Sequence, residues 1–154
     1  MLIVEPGDPR APGPRALLEA SHALMHALFP AEDCYGLSIE DLCGEDVAFF
    51  TARANRAPEI LGVGALAIRP GYGEVKAMFT APEARGKGVG AALLRRIEDE
   101  ARARALPCLR LETGEALGDA MRLYERHGFA PCGIFGDYRP NQTSVYMEKH
   151  LTAC

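Results

Sequence analysis

The chain has 154 residues with 17 lysines and arginines, 21 aspartates and glutamates, and a formal net charge of −4. Hydrophobic residues make up 48% of the chain and charged residues 25%, which are the proportions of an ordinary globular domain. We therefore expect a single domain over residues 1–154 that needs neither disulfides nor a structural metal. A mild negative charge offers no basic patch for nucleic acid, so no nucleic acid partner is expected.

The cysteines and the N-terminal segment indicate a cellular compartment. Five cysteines are scattered without a Cys-x-x-Cys pair, at positions 34, 43, 108, 132 and 154, and this pattern predicts reduced thiols and no zinc site. The opening apolar run, residues 1–4, is too short for a signal peptide or a membrane span. No later apolar run is long enough either, so we expect a cytoplasmic protein with no membrane partner.

The first half of the chain reads as one strand, two helices and a three-stranded meander. Residues 1–4 predict a strand that Pro6 ends, and a proline-rich loop continues through Pro14. Apolar residues at helical spacing predict a helix over residues 15–29, and Ser38 with Asp41 forms a capping-box pattern for a short helix over residues 38–42. Strands are predicted over residues 47–53, 61–68 and 74–80, with turn residues between them.

The second half alternates helices and strands. Helices are predicted over residues 89–105 and 116–127, the latter ending at Gly128, a residue suited to the position after a helix. A strand is predicted over residues 108–113, and closing strands over residues 129–135 and 144–148. This order of elements predicts a mixed α/β structure.

The most informative segment is a glycine-rich loop between a strand and a long helix. The loop reads Arg85-Gly86-Lys87-Gly88-Val89-Gly90. Successive backbone N–H groups at a helix start form an anion site suited to phosphate, and Arg85 and Lys87 add positive charge.

Two common types of phosphate-binding loop do not fit this sequence. A P-loop needs Ser or Thr after Gly-Lys, whereas Lys87 precedes Gly88. A dinucleotide fingerprint follows the first strand of a parallel unit, whereas three antiparallel strands precede this loop.

A second motif lies on the later helix, Ala120-Met121-Arg122-Leu123-Tyr124-Glu125-Arg126-His127-Gly128-Phe129. At their separation, the two motifs resemble those of the GNAT superfamily of acyl-CoA-dependent N-acyltransferases, and the segments at residues 135–138 and 145–149 resemble a small bacterial subgroup of unassigned substrate. The resemblance covers the whole chain. It implies a mixed, mostly antiparallel central sheet with helices on both faces.

The resemblance also implies a co-substrate, acetyl-CoA, and the residues that hold it without a metal. In this family the backbone of the fourth strand pairs with the pantetheine arm, and the glycine-loop amides hold the pyrophosphate. The corresponding residues here are Met78, Phe79, Thr80, Arg85, Gly86, Lys87, Gly88, Val89 and Gly90. One position departs from the family pattern, since Leu117 stands where an Asn often contacts the cofactor. This departure concerns the affinity for the cofactor rather than its identity.

Tyr124 is the candidate general acid. In the family a tyrosine at this position commonly protonates the departing CoA thiolate, and a phenol with a pKa of about 10 is well matched to that task. The alternative is a tyrosine that only packs in the core.

The general base is open between two carboxylates. An amine acceptor arrives as an ammonium ion, so a carboxylate near the sulfur must take its proton. Glu112 lies near the end of its strand and Glu74 at the start of the strand before the glycine loop, and each could instead be a solvated or ion-paired side chain. His22, His26 and His127 are further candidates, more typical of helix surfaces.

The acceptor is expected to be a small-molecule or peptide amine. Residues 31–46 contain six acids and no lysine or arginine, so a pocket bordered by them would attract a cationic amine, unless the acids only form a solvated face.

The leading hypothesis is an N-acetyltransferase acting by direct attack in a ternary complex. An alternative is a catalytically weak acyl-CoA-binding sensor, and a weaker one uses Cys108 as an acyl relay. The resemblance also allows a homodimer.

Overall fold

The computed structural model describes residues 1–151, and its elements follow the predicted order. The bounds are β1 Leu2–Pro6, α1 Pro12–Leu28, α2 Ile39–Leu42, β2 Val47–Ala54, β3 Ile60–Arg69, β4 Tyr72–Thr80, α3 Val89–Ala103, β5 Cys108–Gly114, α4 Gly118–Arg126, β6 Ala130–Pro131 and β7 Ser144–His150. Short 3-10 turns at Ala31–Asp33 and Pro82–Ala84 precede α2 and α3. The prediction for the Cys154 thiol falls outside the described residues.

The seven strands form one sheet in the order β1-β2-β3-β4-β5-β7-β6. All neighbours are antiparallel except β4 and β5, which are parallel. This confirms the predicted meander and the mostly antiparallel mixed sheet. The parallel pair extends over only two positions, Gly73 with Leu109 and Glu74 with Arg110. Beyond them the two strands separate, and a gap opens in the middle of the sheet.

Helices cover both faces of the sheet, as the resemblance implied. On one face α3 inserts Leu93, Leu94 and Ile97, each at most 1% exposed, into the main apolar core. On the other face Leu18 of α1 and Leu42 of α2 pack on the sheet in a second cluster. Each fully buried aliphatic side chain of this size contributes about 1.5–3 kcal/mol, so both clusters hold their helices firmly against the strands.

The predicted helix boundaries are confirmed at the two best-marked ends. The Ser38 hydroxyl accepts from the Asp41 N–H at 3.0 Å, and the Asp41 carboxylate accepts from the Ser38 N–H at 3.2 Å, which is the full capping box. Gly128 follows α4 with a φ of +91° and donates its N–H to the Glu125 carbonyl at 3.1 Å. This left-handed turn directs Phe129 back into the core.

Two predictions at proline-containing segments are wrong. Helix α1 begins at Pro12 rather than at residue 15, because a proline in the first helical turn lacks only an N–H that would have no partner there. The strand expected over residues 129–135 is reduced to β6, since Pro131 has no N–H to extend the ladder. The chain after β6 instead crosses the sheet and buries Phe135, which is 8% exposed. Smaller differences are that α3 ends at Ala103 and that α4 begins at Gly118.

Within residues 1–151 no helix is both long and apolar enough to cross a membrane. The same part of the chain contains no cluster of three or more His, Cys, Asp or Glu side chains arranged to hold a metal ion.

Candidate active site

The gap between β4 and β5 opens into a cleft of about 920 Å³. Its walls are helix α1 and the segment after it, the second half of β4, the glycine loop, the end of β5 and helix α4. The predicted site residues that line it are Met78, Phe79, Thr80, Arg85, Gly86, Gly88, Gly90, Glu112 and Tyr124. Three others do not line it: Glu74, Lys87 and Val89. The Val89 side chain is 1% exposed in the core, so only its backbone can face a ligand.

The glycine loop leaves open space above its backbone. Gly86 and Gly88 have φ values of +80° and +82°, and no atom lies within 4 Å of the point where a Cβ would stand. The first hydrogen bond of α3 runs from the Ala92 N–H to the Gly88 carbonyl at 3.0 Å. The amides of residues 89–91 therefore have no partner within the helix. A helix N-terminus with an open approach of this kind is suited to a phosphate group.

Strand β4 contains a bulge where it borders the cleft. Ala65 of β3 faces Lys76 and Val63 faces Phe79, so the single residue between them on β3 opposes two on β4. Ala77, one of those two, has a φ of +58°, a left-handed conformation unusual for a residue with a side chain. Such a bulge interrupts the ladder and bends the strand, so the β4 backbone changes direction at the cleft.

Tyr124 reaches the cleft from α4. It is 6% exposed, and its ring packs edge-on against Phe129 at a centroid distance of 5.8 Å. Burial raises the pKa of the phenol above its usual range, and the nearby Glu112 carboxylate raises that pKa further. Tyr124 therefore keeps its proton at neutral pH, and while its pKa is raised it is a weaker acid than an exposed tyrosine.

Glu112 enters the cleft from β5, on the other side of the gap. Burial raises the pKa of its carboxyl group, while a hydrogen bond from Ser144 at 2.6 Å acts in the opposite direction. Lys76 lowers that pKa, and Glu74 and Asp33 raise it. A carboxylate with a raised pKa is a stronger base than an exposed one, which suits a group that accepts a proton.

Glu74 lies beneath the cleft, in a charge network at the start of β4. It is 3% exposed and accepts hydrogen bonds from Tyr138 and from Arg69, the latter at 3.3 Å. The Lys76 ammonium group lies 3.6 Å from the same carboxylate and donates to the Tyr138 hydroxyl at 2.9 Å and the Tyr35 carbonyl at 3.1 Å. Glu74 is thus an ion-paired residue whose two oxygens both have partners.

The acidic segment over residues 31–46 contributes less to the cleft than its composition indicated. Of its six acids only Asp33 lines the cleft. Glu40 pairs with Arg10 on the surface, and Asp46 lies 3.7 Å from Arg69. The other acids of the segment also lie outside the cleft lining. The cleft wall formed by this segment therefore has one carboxylate rather than six.

The other sequence candidates occupy varied positions. His22 lines the cleft with its Nε2 atom 3.2 Å from the Leu37 carbonyl, whereas His26 and His127 do not line it. Leu117, the departure from the family pattern, lines the cleft on the α4 side. Cys108 is 5% exposed at the far end of β5 and outside the lining, which argues against an acyl relay.

Several residues of the site carried no signal that the sequence reasoning used. Lys76 follows Glu74 by two positions on one strand, and strand alternation alone would have placed both on one face. Ser144 and Tyr138 had no such signal, because their contacts depend on how β7 pairs with β5 and on the path of the chain after β6. Arg122 and Arg126 add positive charge along the α4 wall of the cleft.

Comparison with known proteins gives a family for this fold and cleft. The model of the Acetyltransferase (GNAT) family matches residues 17–129. A protein of Azospirillum brasilense named IAA acetyltransferase is 45% identical over 137 residues, 88% of each chain. A solved structure from Klebsiella pneumoniae, described as an acyl-CoA N-acyltransferase, is 32% identical with a TM-score of 0.82, covering 99% of both chains. A GNAT acetyltransferase from Elizabethkingia anophelis with acetyl-CoA bound has a TM-score of 0.68 at 18% identity, covering 97% of this chain and 98% of its own. The chain therefore belongs to the GNAT family and is an acyltransferase enzyme.

Proposed function

We propose that this enzyme transfers an acetyl group from acetyl-CoA to a primary amine by direct attack within a ternary complex. The observation that carries the proposal is that one cleft brings together an open glycine loop, a buried tyrosine and a half-buried glutamate from opposite sides of the gap. Family membership supports acyl transfer, and the cleft residues supply the two proton-transfer groups that amine acylation requires.

The residues at the glycine loop fit the phosphates of a coenzyme A molecule. Gly86 and Gly88 leave the space a phosphate needs, the amides of residues 89–91 have no helical partner, and Gly90 and Ala91 line the cleft. Arg85 adds charge beside them, and β4 beyond Glu74 has a free edge for hydrogen bonds to an extended amide-containing arm. When bound, acetyl-CoA supplies the acetyl group as an activated thioester.

Glu112 and Tyr124 divide the proton transfers. Glu112 accepts the proton that the acceptor amine must lose before its nitrogen can attack, directly or through a water molecule. Tyr124 donates its phenolic proton at the sulfur as the thiolate departs. Burial keeps the phenol protonated, and the raised pKa makes the Glu112 carboxylate a stronger base than an exposed glutamate.

Glu74 is the second candidate for the base. Its burial and its contacts to Arg69, Lys76 and Tyr138 favour a structural role, since a carboxylate with two occupied oxygens is poorly placed to accept a further proton. Glu74→Gln should therefore retain more turnover than Glu112→Gln. The reverse order would move the base to Glu74.

The acceptor class is addressed by the charge of the cleft and by the relatives. Asp33 and Glu112 would attract a cationic amine beside them, but Lys76, Arg85, Arg122 and Arg126 line the same cleft, so its charge alone does not select the acceptor. The A. brasilense relative is named IAA acetyltransferase, so IAA is added to the acceptor screen, where thiol release with IAA but with no amine would contradict a primary amine acceptor.

The decisive experiment combines binding and turnover on one protein sample. Isothermal titration with acetyl-CoA and CoA is followed by a thiol-release screen over polyamines, amino sugars, amino acids, lysine peptides and IAA. Acetyl-CoA binding together with amine-dependent thiol release supports the proposal. Binding without release for any acceptor favours the acyl-CoA sensor, and no binding rejects the cofactor assignment.

A further inference from the structure

The hydrogen bonds around Glu112 extend into the turn before β7. Asn141 accepts the backbone N–H groups of Thr143 and Ser144 with its Oδ1 atom, at 2.8 and 2.7 Å. Two donated N–H groups fix the identity of that atom as oxygen. The other end of the amide is therefore the NH₂ group, which lies 2.9 Å from the Ser144 hydroxyl.

This arrangement gives the Ser144 hydroxyl a fixed direction. An amide NH₂ group can only donate, so the Ser144 oxygen accepts from Asn141 and its own hydrogen is left for another partner. That partner is Oε2 of Glu112 at 2.6 Å, a length typical of a hydroxyl donating to a carboxylate. Because the hydrogen bond is donated to Glu112, it stabilises the ionised form of the carboxyl group.

The other carboxylate oxygen, Oε1, has no hydrogen-bond donor among residues 1–151, and Glu112 lines the cleft. The same turn also contacts the segment after α1, since the Thr143 hydroxyl, which lies 3.2 Å from the Asn141 Oδ1 atom, is 3.0 Å from the Asp33 carboxylate as a donor. The turn before β7 thus joins two elements of the cleft, the end of β5 and the segment after α1.

We propose that Asn141 and Ser144 form a directed hydrogen-bond chain that holds Glu112 with Oε2 occupied and Oε1 facing the acceptor amine. Ser144 is then a positioning residue for the base, and Asn141 sets the direction of the Ser144 hydroxyl. This inference rests on the proposed role of Glu112 as the base of acetyl transfer.

The hydrogen-bond chain of Asn141 and Ser144 acts on Glu112 together with other charged groups around it, and the test must leave those groups in place. Titratable groups that influence Glu112 or are influenced by it come from every neighbouring element. They are Glu74 and Lys76 on β4, Asp33 and Cys34 after α1, Tyr124 on α4, Tyr138 on the crossing segment and Tyr146 on β7. Neither Asn141 nor Ser144 is charged, so their substitution by neutral residues changes the hydrogen bonding of Glu112 without altering these charges.

Ser144→Ala is the decisive variant because it adds no charge, and Asn141→Asp, which does add a negative charge, is compared with it. Asn141→Asp keeps an oxygen for the backbone N–H groups of the turn but replaces the NH₂ donor by an acceptor, which draws the Ser144 hydrogen away from Glu112. Ser144→Ala removes the donor altogether, and Ser144→Thr should restore it. Gln142→Ala, at an exposed position in the same turn, is the matched control.

Two measurements test the chain. The first is an NMR titration of Glu side-chain carboxyl carbons, with the Glu112 signal assigned from Glu112→Gln. The second is the pH dependence of kcat/KM with the acceptor that the screen identifies. Loss of the Ser144 hydrogen bond should raise the pKa of Glu112 by about one pH unit in Ser144→Ala, and by at least as much in Asn141→Asp, where the new carboxylate adds negative charge. The acidic limb of kcat/KM should move to higher pH by the same amount, while Gln142→Ala and Ser144→Thr leave both unchanged.

The outcomes separate this inference from the proposed function. If the Glu112 pKa is unchanged in Ser144→Ala and Asn141→Asp, the inferred hydrogen-bond chain is wrong, whatever the turnover of the variants. A raised pKa with an unmoved acidic limb also overturns it, because Ser144 then does not act through the base. Wild-type turnover in Glu112→Gln rejects the base itself, and this result involves neither Ser144 nor Asn141.

Discussion

Gly88→Ala and Gly71→Ala should cost the protein similar stability but very different affinity for acetyl-CoA. Both glycines have a φ near +80°, at +82° and +81°, and neither has an atom within 4 Å of the point where a Cβ would stand. Each substitution therefore carries mainly the cost of a left-handed backbone with a side chain, about 1–2 kcal/mol. In a chain of this length that lowers Tm by roughly 2–8 °C.

The affinities should differ because only Gly88 lines the cleft. A methyl group there occupies the space through which a phosphate would approach the amides of residues 89–91. Loss of one hydrogen bond to a charged group, about 1.5–3 kcal/mol, weakens binding by roughly tenfold to a hundredfold. Gly71 lies in the turn between β3 and β4, outside the cleft lining, so its variant should bind as the wild type does.

Calorimetric titration with acetyl-CoA gives the two Kd values, and thermal unfolding gives the two Tm values. If Gly88→Ala binds as tightly as Gly71→Ala while both lose similar Tm, the glycine loop does not hold the phosphates. If both variants bound acetyl-CoA more weakly by the same factor, backbone strain would be acting on the whole protein. The comparison would then give no support for phosphate binding at Gly88.

Tyr124→Phe should lower kcat by about a hundredfold or more and leave the Kd for acetyl-CoA nearly unchanged, because the ring keeps its packing and only the proton donor is lost; wild-type kcat would remove the acid role. The pKa of Glu112 is higher in the folded protein than in the unfolded chain, so ionisation of this carboxyl group lowers the free energy of unfolding. The loss begins as the pH rises above the unfolded pKa of about 4.3 and is complete above the folded pKa. Glu112→Gln should therefore raise Tm relative to wild type at pH 8 but not at pH 4, and a constant Tm difference across that range contradicts this. Lys76→Met should destabilise the protein by about 3 kcal/mol in denaturant unfolding, since it breaks a buried ion pair with Glu74 and the hydrogen bond to Tyr35; a loss below about 1 kcal/mol would show that Glu74 needs no second cation.

The parts of the fold that the sequence predicted are those specified by local patterns. The capping box at Ser38, the left-handed glycine at Gly128 and the alternation in the meander each depend on residues a few positions apart. The glycine loop belongs to the same class as a structural feature, because a strand, three glycines and a helix start are recognisable without tertiary information, and anion binding there stays a prediction. The reduction of the predicted 129–135 strand to β6 was foreseeable from Pro131, whose missing N–H limits a strand in any context.

The parts that escaped prediction depend on pairing across the sheet. Glu112 is opposite Tyr146, and Gly114 is opposite Ser144, only because β7 returns antiparallel beside β5 in one register. A shift of one residue would turn Ser144 to the other face and remove its bond to Glu112. The sequence left the base open between the two carboxylates for the same reason. Their long-range partners differ, because Tyr138 reaches Glu74 from 64 positions further along the chain and Ser144 reaches Glu112 from 32 positions further.

Because β4 and β5 pair over only two positions, the sheet consists of two parts that are joined at one end. Strands β1 to β4 form one piece of continuous chain and β5 to β7 belong to another, with a ladder of two positions between them. Past that join, each facing edge has backbone groups ready to accept a strand. A ligand extended along the gap would therefore act as the missing strand, so that amide hydrogen exchange should slow on both edges at once and the two halves should open as a single cooperative unit.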